Sequence, residues 1–159
     1  MPRPVYTLCC ESGAEDRLTG LASHFRVIET ITTRRFPRPP SGQATLYVPV
    51  NEFQCVSVWE LLETDQLESE FEYIVSIFLP PDGFEHVAAQ GVIRFPTRRY
   101  RIMINFRGEF FRGPGPVRAV SRLRRIGAGE DSWITQEYSF TIVEYEYPEG
   151  VEPSAETLF

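Results

Sequence analysis

Apolar and polar side chains alternate along much of the second half of this chain. The run EFEYIVSIFL at 70–79 is the clearest case. Its apolar face consists of Phe71, Tyr73, Val75, Ile77 and Leu79. The turn sequence PPDG at 80–83 follows, and 86–95 alternates again, with Val87, Ala89, Ile93 and Phe95 predicted to face inward. A period of two on both sides of a Pro/Gly turn predicts a β-hairpin.

Three later segments alternate in the same way, at 100–107, 117–126 and 133–145. Each is separated from the next by glycine or proline, as expected for strands joined by turns. The residues predicted to form the core are Phe71, Tyr73, Val75, Ile77, Ile93, Ile102, Ile104, Phe106, Leu123, Phe140 and Ile142.

The first half is less regular. We predict a strand at 5–10 that ends at Glu11-Ser12-Gly13 and a longer strand at 53–62 with apolar residues on both faces. The segment 18–33 fits one strand between them, and a helix is the alternative for its first part. The proline-rich stretch 34–42 predicts an exposed loop, and 45–50 a short strand. About eight strands with little helix indicate an all-β fold, a single antiparallel β-sandwich of immunoglobulin-like or jelly-roll type, with an open barrel as the alternative. We expect the domain to span 1–147, with an acidic, flexible tail at 148–159.

Charge changes this picture because it is sorted along the chain. Between Pro39 and Ile93 there are nine acidic residues and no basic one. From Arg94 to Arg125 ten arginines face a single acid, and from Ile126 onward there are eight acids and no base. All 16 basic residues are arginine, against 22 acids. In a folded domain the positive charge of such a block must be balanced by an anionic partner or by the domain's own carboxylates.

Strand parity assigns the arginines to outward positions. One predicted strand presents Arg99, Arg101 and Arg107, and the next presents Arg118, Arg122 and Arg124. If these strands are neighbours, six guanidinium groups line one sheet face. A hairpin register that sets Arg122 opposite Glu137 is one way to pair them.

Three partners remain open for these arginines. Carboxylates of the same chain or of a second subunit come first, an acidic protein surface second, and nucleic acid third. Nucleic-acid surfaces interleave aromatic residues with arginines. Here Tyr100 and Phe106 have the inward parity, and only Phe110-Phe111-Arg112 offers exposed aromatics beside a basic residue.

Catalytic chemistry is sparse. His24 and His86 are the only histidines, and both are predicted to lie on the surface. There is no GxSxG, HExxH, P-loop or GxGxxG spacing. We therefore predict no catalytic residue, metal, cofactor or small-molecule substrate. An undetected hydrolase is the competing interpretation.

The cysteines Cys9, Cys10 and Cys55 form no CxxC motif and are odd in number. Together with the lack of a secretory signal or a long apolar stretch, they predict a reduced, cytoplasmic protein with small buried thiols and no membrane contact.

The chain ends in Leu158-Phe159, which could dock into a partner groove. This ending resembles the hydrophobic end of bacterial sliding-clamp-binding peptides, without their glutamine and first leucine. It also fits the loose pattern of PDZ ligands. The alternative is an unstructured end.

In the order of its elements the chain resembles a family of uncharacterised bacterial β-sandwich domains. The resemblance lies in the opening strand–turn–strand, the hairpin of 71–95, the arginine-bearing strand, the Gly/Asp turn and the last strand YSFTIV at 138–143. The loop at 34–42 and the long tail depart from that pattern. The resemblance implies the fold and carries no activity.

These observations predict a non-catalytic protein-interaction or accessory module. Its expected binding residues are Arg99, Arg101, Arg107, Arg112, Arg118, Arg122, Arg124, Leu158 and Phe159. The expected partner is an acidic protein surface or a second copy of the chain. The alternative function is polyanion or nucleic-acid binding through the arginine block 94–125.

Overall fold

The chain forms an all-β sandwich in the computed structural model, which describes residues 1–15, 22–34, 52–106 and 113–145. The only helical element in these ranges is a 3₁₀ turn at Glu130–Ser132. The nine described strands are β1 (Arg3–Glu15), β2 (Ala22–Val27), β3 (Thr30–Arg34), β4 (Phe53–Glu60), β5 (Glu70–Leu79), β6 (Phe84–Arg94), β7 (Arg99–Phe106), β8 (Gly115–Arg125) and β9 (Ile134–Tyr145).

The strands form two sheets. The four-stranded sheet has the order β2-β1-β4-β7, and the five-stranded sheet has the order β3-β9-β8-β5-β6. The all-β sandwich predicted from the sequence is confirmed. One pair departs from the expected antiparallel arrangement, because β3 runs parallel to β9.

The core lies between the two sheets. All eleven predicted core residues belong to it, with Tyr73, Ile93 and Ile104 half-buried and the others buried. Across the sandwich, the Phe53 ring stacks on Phe106 with centroids 4.8 Å apart and meets Phe140 edge-on at 5.7 Å. These rings join β4 and β7 of one sheet to β9 of the other.

The predicted hairpin is present as β5 and β6. Gly83 in its turn has φ +70°, and the Asp82 Oδ1 accepts a hydrogen bond from the Phe84 N–H at 3.2 Å. The prediction that Val87 faces the core is wrong, since its side chain is 46% exposed. A β-bulge explains this: Val75 lies opposite Ala89 while Ser76 lies opposite Val87, so one extra residue reverses the alternation.

The first strands also differ from the prediction. β1 continues past Glu11-Ser12-Gly13 to Glu15, and the segment 18–33 holds two strands in place of one. β2 belongs to the four-stranded sheet and β3 to the five-stranded sheet. The chain crosses between them at Ile28, whose N–H donates to the Cys9 carbonyl at 2.8 Å.

The outer face of the four-stranded sheet carries a second apolar cluster. Cys10, Val56 and Val58 are buried there, although their positions alternate with those facing the core. Tyr6 packs against this cluster, and its hydroxyl lies 2.9 Å from the His24 Nε2. In the β1–β2 pair His24 lies opposite Gly13. Gly13 follows Tyr6 by seven residues, which in a straight strand would separate the two by about 23 Å. The contact therefore requires β1 to bend, and the end of β1 with β2 lies back against the cluster.

This cluster explains why the segment 53–60 is apolar on both faces, as predicted. The loop predicted beyond Arg34, the short strand at 45–50 and the tail at 148–159 lie outside the described residues. In the part of the chain that the structure describes, no helix is long and apolar enough to cross a membrane.

Candidate interaction surface

The structure separates the two groups of arginines. β7, with Arg99 and Arg101, is the end strand of the four-stranded sheet, whereas β8 lies inside the five-stranded sheet. The condition for a shared face of six guanidinium groups, that these two strands are neighbours, is therefore not met. Because β7 and β8 are consecutive but belong to different sheets, their outward side chains lie on opposite faces of the sandwich.

On the four-stranded sheet, the Glu60 carboxylate contacts two arginines. It accepts hydrogen bonds from Arg3 and lies 3.4 Å from the Arg99 guanidinium. These contacts, that with Arg3 first, lower the pKa of Glu60. Arg101 is half-buried on the same strand. Arg107 and Arg112, also predicted to bind, lie outside the described residues.

On the five-stranded sheet, Arg118 and Arg122 each find a carboxylate. Arg118 lies 3.7 Å from Glu137 and Arg122 lies 3.5 Å from Glu85. The predicted pairing of Arg122 with Glu137 is wrong, since Val120 is the register partner of Glu137. The β8–β9 turn sets a register in which that carboxylate meets Arg118.

Arg124 has the densest surroundings of the group. Its guanidinium binds Glu72 on the adjacent strand and Glu130 in the 3₁₀ turn, the latter at 2.5 Å. It also stacks over the Trp133 ring, 4.4 Å from the centroid, while the Trp133 N–H donates to Glu130 at 3.1 Å. The hydrogen bond from Arg124, with a smaller contribution from Trp133, lowers the pKa of Glu130. Trp133 and Glu130 could not be found from the sequence, because the turn that brings them to Arg124 has no alternation of apolar and polar residues from which their positions could be predicted.

The basic block is largely paired within the chain. Six of its described arginines form ion pairs with described carboxylates: Arg94, Arg99, Arg118, Arg122, Arg124 and Arg125. Exposed pairs of this kind contribute about 0–1 kcal/mol each. Their larger effect is to reduce the positive potential of the surface.

Exposed large apolar side chains occur at several places on the described surface, and three of them, Phe84, Val87 and Val92, lie on the end strand β6. Val87 is 46% exposed and Val92 is 56% exposed. A shallow groove of about 460 Å³ adjoins this strand. The residues that line the groove are Glu72, Tyr73, Ile74, Gln90, Gly91, Val92, Arg124 and Trp133. We take β6 and this groove, which we call the β6 surface, as the candidate interaction surface.

A narrower cleft of about 230 Å³ opens near the start of β4, between Ile28, Ile31 and Phe53. Glu11 and Glu52 also line it, and Glu11 is paired with Arg26 at 3.1 Å. No group of three or more potential metal-ligating side chains occurs among the described residues.

The thiols are buried and His24 is half-buried. All three cysteines are buried and reduced, and a hydrogen bond between Cys9 and Cys55, together with burial, raises the pKa of Cys9. Such a thiol is a poor nucleophile, because the thiolate is the reactive form. The surface position predicted for His24 is wrong: the ring is half-buried beside Tyr6, and burial, with the nearby charge of Arg101, lowers its pKa.

Leu158 and Phe159, the predicted docking end, lie outside the described residues. No protein-family model matches the chain, and a search of curated proteins finds no match either.

Proposed function

We propose that this protein is a non-catalytic interaction module that binds another protein through the β6 surface. The observation that carries the proposal is the contrast between two parts of the surface. The arginines of the block are mostly neutralised by carboxylates of the same chain, whereas β6 exposes valine side chains at the end of a sheet. A sheet edge of this kind can accept a further strand through main-chain hydrogen bonds, with side chains supplying specificity.

Polyanion binding through the block 94–125 is the weaker candidate. Phosphate recognition requires guanidinium groups that are available to the ligand, and its affinity falls steeply with salt. Arg118 and Arg124 are instead engaged with Glu137, Glu72 and Glu130 and with aromatic rings. We propose the same cytoplasmic location that the sequence predicts.

The proposal is tested by affinity capture with three forms of the full chain. These are the wild type, Val92→Lys on the β6 surface, and Met103→Lys as a matched control. Met103 is 50% exposed on β7, the end strand of the other sheet. We expect one or more proteins that the wild type and Met103→Lys retain and that Val92→Lys loses. Identical protein sets from all three forms would contradict the proposal.

Heparin and single-stranded DNA serve as the polyanion probes at about 0.15 M salt, where specific phosphate contacts still hold protein. We expect no retention of the wild type. Retention that disappears in the Arg122→Glu/Arg124→Glu variant would favour the polyanion function instead.

A further inference from the structure

No second described strand pairs with β6 along its outer edge. β6 is the last strand of the five-stranded sheet, and β5 pairs with it along its whole length on the opposite side. It is 11 residues long and contains no proline or lysine. Proteins usually protect a long edge strand with such residues, or cover it, because its unpaired main-chain groups attract other strands.

The charges of β6 are placed near its two ends. Glu85 lies near the start and Arg94 at the end, and the six residues from Val87 to Val92 carry no charge. Both charged residues lie on the outer face, as do Val87 and Val92. The strand is thus uncharged in the middle and oppositely charged near its two ends.

The bulge makes this arrangement possible. In a regular strand an odd-numbered and an even-numbered residue lie on opposite faces. The extra residue at Ala88 reverses the alternation, so that Val87 and Val92 share one face, and Glu85 and Arg94 share it too. A bulge often blunts an edge strand. Here it also places the outer-face residues symmetrically about Gln90, with a valine on each side of it and a charged residue beyond each valine.

We propose that β6 pairs antiparallel with β6 of a second copy of this chain, about a two-fold axis near Gln90. This inference rests on the proposed function, and it names the partner. In that arrangement Val87 of one copy lies near Val92 of the other, and Glu85 lies near Arg94 of the other. A two-fold interface requires such self-complementarity, because each surface must match itself. The two five-stranded sheets then continue into one another.

Neighbouring charges extend the match. Within one copy, Glu85 lies 3.5 Å from Arg122, and Arg94 lies 2.5 Å from Glu70. Joining Glu85 to Arg94 of the second copy produces a row of alternating charges, Arg–Glu–Arg–Glu, at each end of the interface. Alternation of this kind favours one register and disfavours shifted ones, because like charges would then meet. An unrelated peptide strand would match this pattern only by chance, which is why a second copy fits best.

The test is the oligomeric state of the full chain, measured by analytical ultracentrifugation between about 1 and 100 µM, the range in which small transient interfaces form. We expect a concentration-dependent dimer for the wild type and for Met103→Lys. Val92→Lys should raise the dissociation constant about tenfold or more, because it places an ammonium group beside Val87 of the other copy on both sides of the axis.

A charge exchange tests the register directly. Glu85→Arg and Arg94→Glu, each alone, place like charges together and should each weaken the dimer about tenfold. The double variant Glu85→Arg/Arg94→Glu restores opposite charges and should return the dissociation constant to within about threefold of the wild type. Circular dichroism confirms that each variant is folded.

A wild type that stays monomeric at 100 µM (about the upper limit for such interfaces) would overturn the second-copy inference. The proposed function would survive that result if the wild type still captured proteins that Val92→Lys does not retain. A dimer that withstands Val92→Lys, or one that the double variant fails to restore, would overturn the β6 pairing. Loss of both the dimer and the Val92-dependent capture would overturn inference and proposed function together.

Discussion

Replacing Phe140 with alanine is the sharpest test of the sandwich. The Phe140 side chain is 2% exposed and meets Phe53 edge-on at 5.7 Å, so it links β9 to the opposite sheet. Truncating a buried phenylalanine costs about 3–5 kcal/mol, from lost burial and from the cavity left behind. With a urea dependence of about 2 kcal/mol per molar, the unfolding midpoint should fall by about 1.5–2.5 M. This loss is a large part of the 5–15 kcal/mol typical of a domain.

Phe78→Ala is the matched control. Phe78 lies on the same sheet but on its outer face, half-buried beneath the Arg118 guanidinium at 4.5 Å. It should cost about 1 kcal/mol, mostly from partial burial and the cation–π contact. Urea unfolding followed by tryptophan fluorescence and circular dichroism gives both values. Equal costs, or a larger cost for Phe78→Ala, would refute the assignment of faces. If Phe140→Ala does not fold, Phe140→Leu should cost about 1.5 kcal/mol and rank the same way.

Three further results are expected. Because burial lowers the pKa of His24, the unfolded chain binds a proton more readily below about pH 6.5, so stability should fall as the pH drops from there through the lower folded pKa. His24→Gln should flatten that part of a denaturation–pH profile, and an unchanged slope would argue against a lowered pKa of the half-buried His24 ring. Cys9 and Cys55 should react with iodoacetamide only after unfolding, as mass spectrometry can show; rapid labelling of the native protein would contradict their burial. Arg124→Glu should lower the melting temperature by about 5 °C or more in calorimetry, and the exchange Arg124→Glu/Glu72→Arg should recover part of the loss, whereas no recovery would mean that the pair does not contribute.

The faces of most strands could be predicted from the sequence. Ile102, Ile104 and Phe106 occupy alternate positions on β7, as Phe140 and Ile142 do on β9, and the structure places all five in the core. The reason is local: successive side chains of a strand point to opposite sides, so burial of one face appears directly as a period of two.

The face of Val87 could not be predicted from alternation. The single extra residue at the bulge reverses the faces of the rest of β6, and nothing in the sequence between 84 and 94 marks it. The bulge depends on how β5 and β6 fit together, which is a property of the pair and not of either strand.

The positions of the arginines depended on tertiary structure for the same reason. The sorted charges implied that arginines would meet carboxylates, and Arg124 does meet Glu72 and Glu130. Their identity could not be predicted, since Glu72 is 52 residues away and becomes a neighbour only because β5 pairs with β8. Likewise Arg99 and Arg118 lie on consecutive strands yet on opposite faces of the molecule. Alternation along a strand arises from its own backbone, whereas strand order arises from how two sheets enclose a common core.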